Sequence, residues 1–393
     1  MPPADRIEPD KSHMLAKNKG ALSVLHVAET IRGGIATYFN EIHPHQRESF
    51  GSDNVHYIIP SDHRNDLNGF EDAEVSVFER SGRSLLGLFR MAVLTLRHIH
   101  RMRPDIVHIH STFAGLVMRP LLFWRRGGPQ IVYCPHGWAF SRETSQLSHR
   151  TTKLAERWLA RITDRIICIS SDELQEAVKA GIDRERLMLV YNGISTDRPP
   201  TDSNSIAWTS PKTRILFIGR LDRQKGYDLL IETARQLSDA VDVRIIGSAV
   251  VGKQPQMQLP SNVNLLGWMD RTEIEAYLEA ADLIVIPSRW EAFGLVALEA
   301  MRAAKPIVAF RVGALPEIVQ DGVTGVLGSS VSVASLVDAI RTAMQLDLRA
   351  TGLRGYERFK RLYDVKKTHQ VLSDVYFDLG QRDQREAAGI ALP

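Results

Sequence analysis

Cysteine is scarce: Cys134 and Cys168 are the only two in 393 residues, each inside an apolar run. Two thiols cannot by themselves build a disulfide framework or a zinc site, so both read as buried and reduced. An excess of one charge is missing too, since 49 Lys and Arg stand against 46 Asp and Glu, a net +3. A nucleic-acid binder of this size ordinarily carries more, so any basic character that matters must be local. No apolar run reaches the roughly 18 residues of a spanning helix; the longest, Leu85 to Leu96, is broken by Arg90. The opening MPPADRIEPDKSHMLAKNKG lacks an apolar core and reads as a tail rather than a signal peptide or anchor, so the expectation is a cytoplasmic protein. A GxGxxG loop with a downstream acidic residue is also lacking, which disfavours a dehydrogenase.

What is present is a globular composition, 44% hydrophobic and 24% charged, in a chain long enough for two domains. Short β-branched runs alternate with amphipathic stretches. In the first half the strands fall at Ser23–Ala28, Val55–Pro60, Glu74–Phe78, Ile106–His110, Ile131–Cys134, Arg165–Ile169 and Leu187–Val190, with helices at Gly34–His43, Leu85–Met102, Thr151–Ile162 and Asp172–Ala180. Near-continuous apolar strands separated by helices predict parallel sheets covered on both faces. Asp197–Lys212, rich in Pro, Ser, Asp and Thr, interrupts the pattern as a linker. The alternation then restarts with strands at Arg214–Ile218, Val243–Ile246, Val263–Leu266, Leu283–Ile286, Ile307–Ala309 and Val326–Leu327. The division is a tail at 1–20, a domain at 21–197, a linker at 198–212, a second domain at 213–365, and at 366–393 a helix returning to the first half. The fold class is α/β, two doubly wound halves. Such sheets bind ligands beyond the C-terminal ends of their strands.

The residues that carry chemistry sit there. After the strand Leu283–Ile286 comes Pro287-Ser288-Arg289-Trp290-Glu291-Ala292-Phe293-Gly294-Leu295, opening a helix that contains Glu299. Gly294 lets backbone N–H groups approach a ligand, and the helix N-terminus suits an anion. Glu291 and Glu299 can line one pocket and accept hydrogen bonds from hydroxyls. After Arg214–Ile218 come Gly219-Arg220-Leu221 and Gln224-Lys225-Gly226, a guanidinium and an ammonium that would stabilise a departing diphosphate.

The Glu-x7-Glu spacing with Phe-Gly-Leu, together with the Gly219-Arg220 to Lys225 segment, resembles the retaining glycosyltransferases of the GT-B fold, family 4. The likeness runs from Leu22 to about Asp378 and is clearest from Phe217 to Gly325. It implies two Rossmann-like domains facing each other across a cleft, with a nucleoside-diphosphate sugar as co-substrate. On that resemblance His136, beside Gly137 after a strand, lies near the transferring sugar, and Gly33 and Gly34 lie against the donor phosphate or acceptor. Gly267 and Trp268 hold the base, while Ser170 and Asn192 are either acceptor contacts or simply polar strand-end residues. Gly313 to Glu317 and Asp321 to Gly325 read as structural turns, and His108 and His110 as structural histidines.

The resemblance further implies retention of anomeric configuration and no essential metal or other cofactor. No Asp-x-Asp follows a strand, and Arg220 with Lys225 can neutralise the charge that Mg2+ would otherwise meet. A front-face reaction fits the lack of a second candidate carboxylate nucleophile in the first half. The acceptor would be a glycan or lipid-linked hydroxyl in bacterial surface polysaccharide synthesis. Arg83, Arg90 and Arg97 form one stripe of the helix Leu85–Met102, opposite an apolar face of Leu85, Phe89, Ala92, Leu96 and Ile99. With Trp124, Arg125 and Arg126 the stripe reads either as a solvated basic face or as a contact with anionic lipid at the inner face of the membrane. Two other functions stay open: a nucleotide-sugar epimerase or hydrolase of the same fold, and a non-catalytic nucleotide-sugar-binding protein.

Overall fold

The computed structural model describes residues 22–80, 82, 84–124, 128–141, 146–198, 206, 208–248 and 258–387. The tail at 1–20, Arg83, Arg125, Arg126 and much of the linker lie outside the described residues.

The first sheet holds β1 Val24–Ala28, β2 Val55–Pro60, β3 Val75–Phe78, β4 Ile106–His110, β5 Gln130–Cys134, β6 Arg165–Cys168 and β7 Leu187–Leu189; the second holds β8 Thr213–Ile218, β9 Val241–Ile246, β10 Val263–Gly267, β11 Leu283–Ile286, β12 Ile307–Phe310 and β13 Gly325–Gly328. The helices are α1 Gly34–Phe50, α2 Leu85–Met102, α3 Thr112–Phe123, α4 Gln146–Ala160, α5 Ser171–Lys179, α6 Tyr227–Gln236, α7 Arg271–Ala280, α8 Leu295–Arg302, α9 Leu315–Ile318, α10 Val333–Met344, α11 Leu348–Leu362 and α12 Val365–Ala387.

All pairings between these strands are parallel, in the orders β3-β2-β1-β4-β5-β6-β7 and β10-β9-β8-β11-β12-β13. Each order reverses direction once, between β1 and β4 and between β8 and β11. Loops leaving the C-terminal ends of those strands diverge there and open a crevice. The chemistry-bearing segments after β1, β8 and β11 therefore sit at the two switch points.

Alternation within the strands splits the core. Leu25 and Val27 face one apolar layer of the first sheet, whereas Val24 and Ala28 face the other. That second layer continues through Ile194 and Tyr363 to Phe293 and Leu315 in the second half, so one apolar cluster joins the inner faces of both sheets. Trp208 pins the linker to the second half, buried beneath the Arg244 guanidinium, which lies 4.5 Å from its ring centroid. Where the chain crosses back, Ile194 bridges Asp364, and α12 packs on α1 with Tyr376 buried.

Four helices depart from the sequence reading, α4 by starting at Gln146 instead of Thr151. The expected end of α1 at His43 is wrong: the helix runs through Pro44 to Phe50, because its buried face continues in Gln46 and Phe50. Lost packing of that face would cost more than the one missing intrahelical bond. The helix α3 was not expected, since its apolar residues surround Pro120 without a clean period; it nevertheless buries Ala114, Met118 and Leu122. In α2 the buried stripe is Gly87, Met91, Ala92, Thr95 and Ile99, whereas Leu85 and Phe89 are 86% and 65% exposed. The apolar face inferred from Leu85 and Phe89 is therefore rotated onto the flank of the helix and into solvent.

Candidate active site

The loops after β8 and β11 are locked together by backbone geometry. Gly226, the N-cap of α6, adopts φ +67°, and a Cβ there would lie 1.9 Å from the carbonyl oxygen of Pro287. Arg289 N–H donates to Gln224 O at 2.8 Å, and the Arg289 guanidinium forks onto Asp228 at 2.8 and 2.7 Å. This pairing holds the Asp228 carboxyl below the usual range. So braced, Lys225 Nζ donates to Glu291 Oε2 at 2.6 Å, and Ser288 Oγ donates to the same oxygen at 3.1 Å. Both partners of the ion pair are mostly shielded, with side chains 19% and 9% exposed. The other face of the Glu291 loop is closed by Gly313, where a Cβ would sit 1.7 Å from Glu291 O.

Across from this pair the first half presents two loops. Gly33, at φ +84°, precedes the N-terminus of α1, and Gly34 lies opposite Leu295, whose Cδ1 would be 3.7 Å from a Cβ at residue 34. The N-termini of α1 and α8 thus meet across the crevice, both capped by glycine and both lending partial positive charge. Gly137 also meets the second half, since a Cβ there would come 3.0 Å from Ala292 Cβ. His136 beside it holds φ +51°, a left-handed conformation costing a non-glycine residue about 1–2 kcal/mol.

Glu173 keeps that loop in place. Buried at the start of α5, it accepts from Gly137 N and Ile169 N, both at 2.7 Å, and burial pushes its carboxyl up to about 7. Sequence reasoning passed over Glu173, although Ser170-x-x-Glu173 has the spacing of a capping box. Only half the box forms: Ser170 Oγ accepts from Glu173 N at 3.0 Å, but the glutamate reaches out to Gly137 as well. Glu317, read as part of a structural turn, spans the two halves by accepting from Ser171 N and Asp172 N at 2.9 and 3.2 Å.

Behind His136 lies a row of imidazoles under α1 and α12. His136 Nε2 stands 2.9 Å from His110 Nδ1, His110 Nε2 2.9 Å from His26 Nδ1, and His26 Nε2 3.0 Å from Gln46 Oε1. His108 Nδ1 meets the Tyr376 hydroxyl at 2.6 Å. Desolvation pushes His26 and His136 down to about 3 and holds His108 and His110 well below the usual histidine value.

The remaining expected residues fall into three groups. Glu299 lies one turn into α8, its carboxyl pushed up to about 7 by desolvation, with Arg271 and Lys225 opposing and Glu41 reinforcing. Gly219 opens the loop after β8, and Arg220 follows it half exposed, bonded to Gln224 Oε1 at 2.7 Å and Asp222 at 3.2 Å rather than to Glu291. Gly267, at φ +81°, ends β10, and Trp268, 65% exposed, follows it. Three more are buried. Phe293 is 3% exposed and packs edge-on to Tyr363. Ser170, fully buried, caps α5 beyond the end of β6, and Asn192, 3% exposed, lies beyond the end of β7.

Two doubly wound domains with the loops of both switch points meeting over a cleft define the GT-B architecture of sugar-transferring enzymes. Comparison with known proteins agrees: residues 200–358 match the family described as glycosyl transferases group 1, and residues 32–198 match glycosyltransferase family 4. An uncharacterized 41.2 kDa protein in the cps region of Klebsiella pneumoniae is 33% identical over 315 residues, 78% of this chain and 86% of that protein. An uncharacterized glycosyltransferase of Methanocaldococcus jannaschii is 30% identical over 286 residues, 69% and 76% of the two chains. The crystal structure of Anabaena HepE in complex with UDP and glucose superposes with a TM-score of 0.74 at 20% identity, covering 90% of this chain and 99% of that one. The chain belongs to the group 1, family 4 glycosyltransferases.

Proposed function

We propose that the protein moves a sugar from a nucleoside-diphosphate sugar to an acceptor hydroxyl with retention of configuration, in the assembly of a bacterial surface polysaccharide. The observation that carries this reading is the shielded Lys225–Glu291 pair at the β8–β11 switch point, facing the N-terminus of α1. Lys225 and Arg220 supply positive charge to the departing diphosphate, together with the helix N-termini. Glu291, oriented by Lys225 and Ser288, accepts from hydroxyls of the transferring sugar, and Glu299 from those at the nucleoside end. The leaving phosphate oxygen takes the acceptor's proton on the face where the new bond forms. These cationic groups perform the charge neutralisation without calling on a metal. HepE, a neighbour in fold, was crystallised with UDP and glucose, and the Klebsiella relative lies in a cps region; both are consistent with this assignment.

The acceptor side points to a membrane surface. Leu85, Phe89, Leu116, Trp124, Leu147 and Trp158 are exposed on or beside α2, α3 and α4, three neighbouring helices. The first two helices contain no Asp or Glu, and Glu156, the only one in α4, is buried against Arg119 at 2.7 Å. Exposed apolar side chains with Arg90, Arg97 and Lys153 and no exposed carboxylate suit anionic lipid. Such a surface suits peripheral attachment and a lipid-linked acceptor; no helix among the described residues is long and apolar enough to cross a membrane.

A panel of UDP-, GDP- and ADP-sugars read by ligand-induced melting shift tests the donor. One nucleotide series should raise the midpoint strongly and the others little; no shift with any of them refutes the reading. Turnover accelerated by an added acceptor separates transfer from epimerisation or hydrolysis.

A further inference from the structure

The row of histidines behind His136 contains more information than their burial. An amide oxygen has no proton to give, so in the 3.0 Å contact with Gln46 Oε1 the N–H belongs to His26 Nε2. The Tyr57 hydroxyl donates to the same oxygen at 3.1 Å. A neutral imidazole has one N–H, so His26 Nδ1 is bare and accepts from His110 Nε2. By the same step His110 Nδ1 is bare and accepts from His136 Nε2, at 2.9 Å in each case. His136 Nδ1 is then left with a lone pair. The deduction needs neutral rings, and burial supplies them by pushing His26 and His136 down to about 3 and His110 well below its usual value.

We propose that Gln46 is a positioning residue: acting through His26 and His110, it fixes the tautomer of His136 so that Nδ1 stands as a hydrogen-bond acceptor toward the bound sugar. The inference rests on the reading of the cleft as the donor-sugar site. A lone pair there accepts from a sugar hydroxyl. It also sets the negative end of the ring dipole beside the positive charge that develops as the glycosidic bond breaks. The opposite tautomer would present an N–H to that charge. The left-handed backbone of His136, held by Glu173 through Gly137, keeps the ring in line with His110.

A metal centre is the competing use of these rings, since His26, His108 and His110 offer nitrogens within 4.8 Å of one another. The 2.9 Å between His26 and His110 is a hydrogen-bond distance. Two nitrogens on a tetrahedral zinc, with bonds of about 2.05 Å, would lie roughly 3.3 Å apart. None of the three ligands is anionic, so a dication would be buried without compensation; in a second such group, His110, Cys134 and His136, the imidazole nitrogens again stand 2.9 Å apart and burial holds the Cys134 thiol well above its usual value.

Histidine-selective 15N labelling and two-bond 1H–15N NMR on the full chain report each tautomer without substrate. The expected spectrum has N–H on Nε2 and a bare Nδ1 for His136, His110 on the same pattern, and His26 likewise. Gln46→Met removes the acceptor at similar volume; it should mix the three tautomers and lower kcat for donor turnover about tenfold while KM for the donor stays within about twofold. Tyr57→Phe removes the other hydrogen bond to the same oxygen and should leave both tautomer and kcat unchanged. An N–H on His136 Nδ1 in the wild type overturns the proposal, as does stoichiometric zinc in the purified chain. An unchanged spectrum in Gln46→Met, or a changed spectrum with unchanged kcat, also overturns it. Expected tautomers without turnover of any nucleotide sugar would sink the reading of the cleft, and the role of Gln46 with it, while the tautomer order stands.

Discussion

Gly226→Ala offers a sharp test of the idea that the two donor loops form one rigid unit. The new methyl group would sit 1.9 Å from Pro287 O and 2.9 Å from Pro287 C. An ordinary C···O contact is about 3.3 Å, so the segments must part by roughly 1.4 Å. The residue also stays at φ +67°, which costs alanine about 1–2 kcal/mol. Relieving the overlap adds about 1–3 kcal/mol. Together these amount to about 2–5 kcal/mol, or a fall in Tm of about 5–15 °C for a domain of this size. The segments that separate carry Lys225 on one side and Ser288 and Glu291 on the other. A 2.6 Å ion pair stretched by more than 1 Å loses its hydrogen bond, and misplacement on that scale costs about 100-fold in rate. Gly322→Ala is the control, since its φ is +71° with nothing within 4 Å of the added carbon. It should lose only the backbone term and keep full activity. Calorimetry with steady-state donor turnover would measure both variants. Gly226→Ala within twofold of wild type in kcat/KM, at an unchanged Tm, would refute the reasoning.

Three further outcomes follow from the same geometry. Glu173→Gln places an amide N–H against one of two buried donors, Gly137 N or Ile169 N, and should cost about 1–3 kcal/mol in urea melts together with a drop in kcat; retained stability would deny the carboxylate its role. His26, His108, His110 and His136 have folded values below 6.5, so the unfolded chain binds their protons first; their contribution is complete above about pH 6.5 and is lost as pH falls toward 3. Glu173 and Glu299, pushed up to about 7, oppose them between about pH 4.5 and 7. His43, His56, His63 and His369 are lowered as well, so the lowered histidines outnumber the raised carboxyls, stability should rise with pH between about 5 and 6.5, and a flat urea midpoint over that range would contradict it. Flotation with anionic liposomes at low salt should carry the protein up and Phe89→Ser with Trp124→Ser should release it; failure of the wild-type chain to float would return α2, α3 and α4 to ordinary solvated surface.

The strands were legible because buried parallel strands print as unbroken β-branched runs, and the Gly-rich and charged loops after β1, β8 and β11 stood out against them. What was hidden had a physical reason in each case. Pro44 reads as a helix stop, and because α1 continues past it, Gln46 was not connected with the histidines. His108 and His110 looked structural since a strand alternation reports only a face, never the partner across it. Phe293 drew a binding role from its neighbours Glu291 and Gly294, yet the turn points its ring into the core against Tyr363. Leu85 and Phe89 satisfied a helical period, but the buried stripe runs through Gly87, Met91 and Thr95 and shares only Ala92 and Ile99 with the expected face. Glu173 did announce itself by spacing; its reach to Gly137 requires a tertiary neighbour that no local pattern contains.

The most direct measurement is kcat/KM of Lys225→Ala with whichever nucleotide sugar gives the largest melting shift. Loss of the ammonium beside Glu291 should lower it by about 100- to 1,000-fold, with the fold intact by circular dichroism. Turnover near the wild-type rate would mean that the departing diphosphate is stabilised elsewhere, and that the cleft has been assigned to the wrong chemistry.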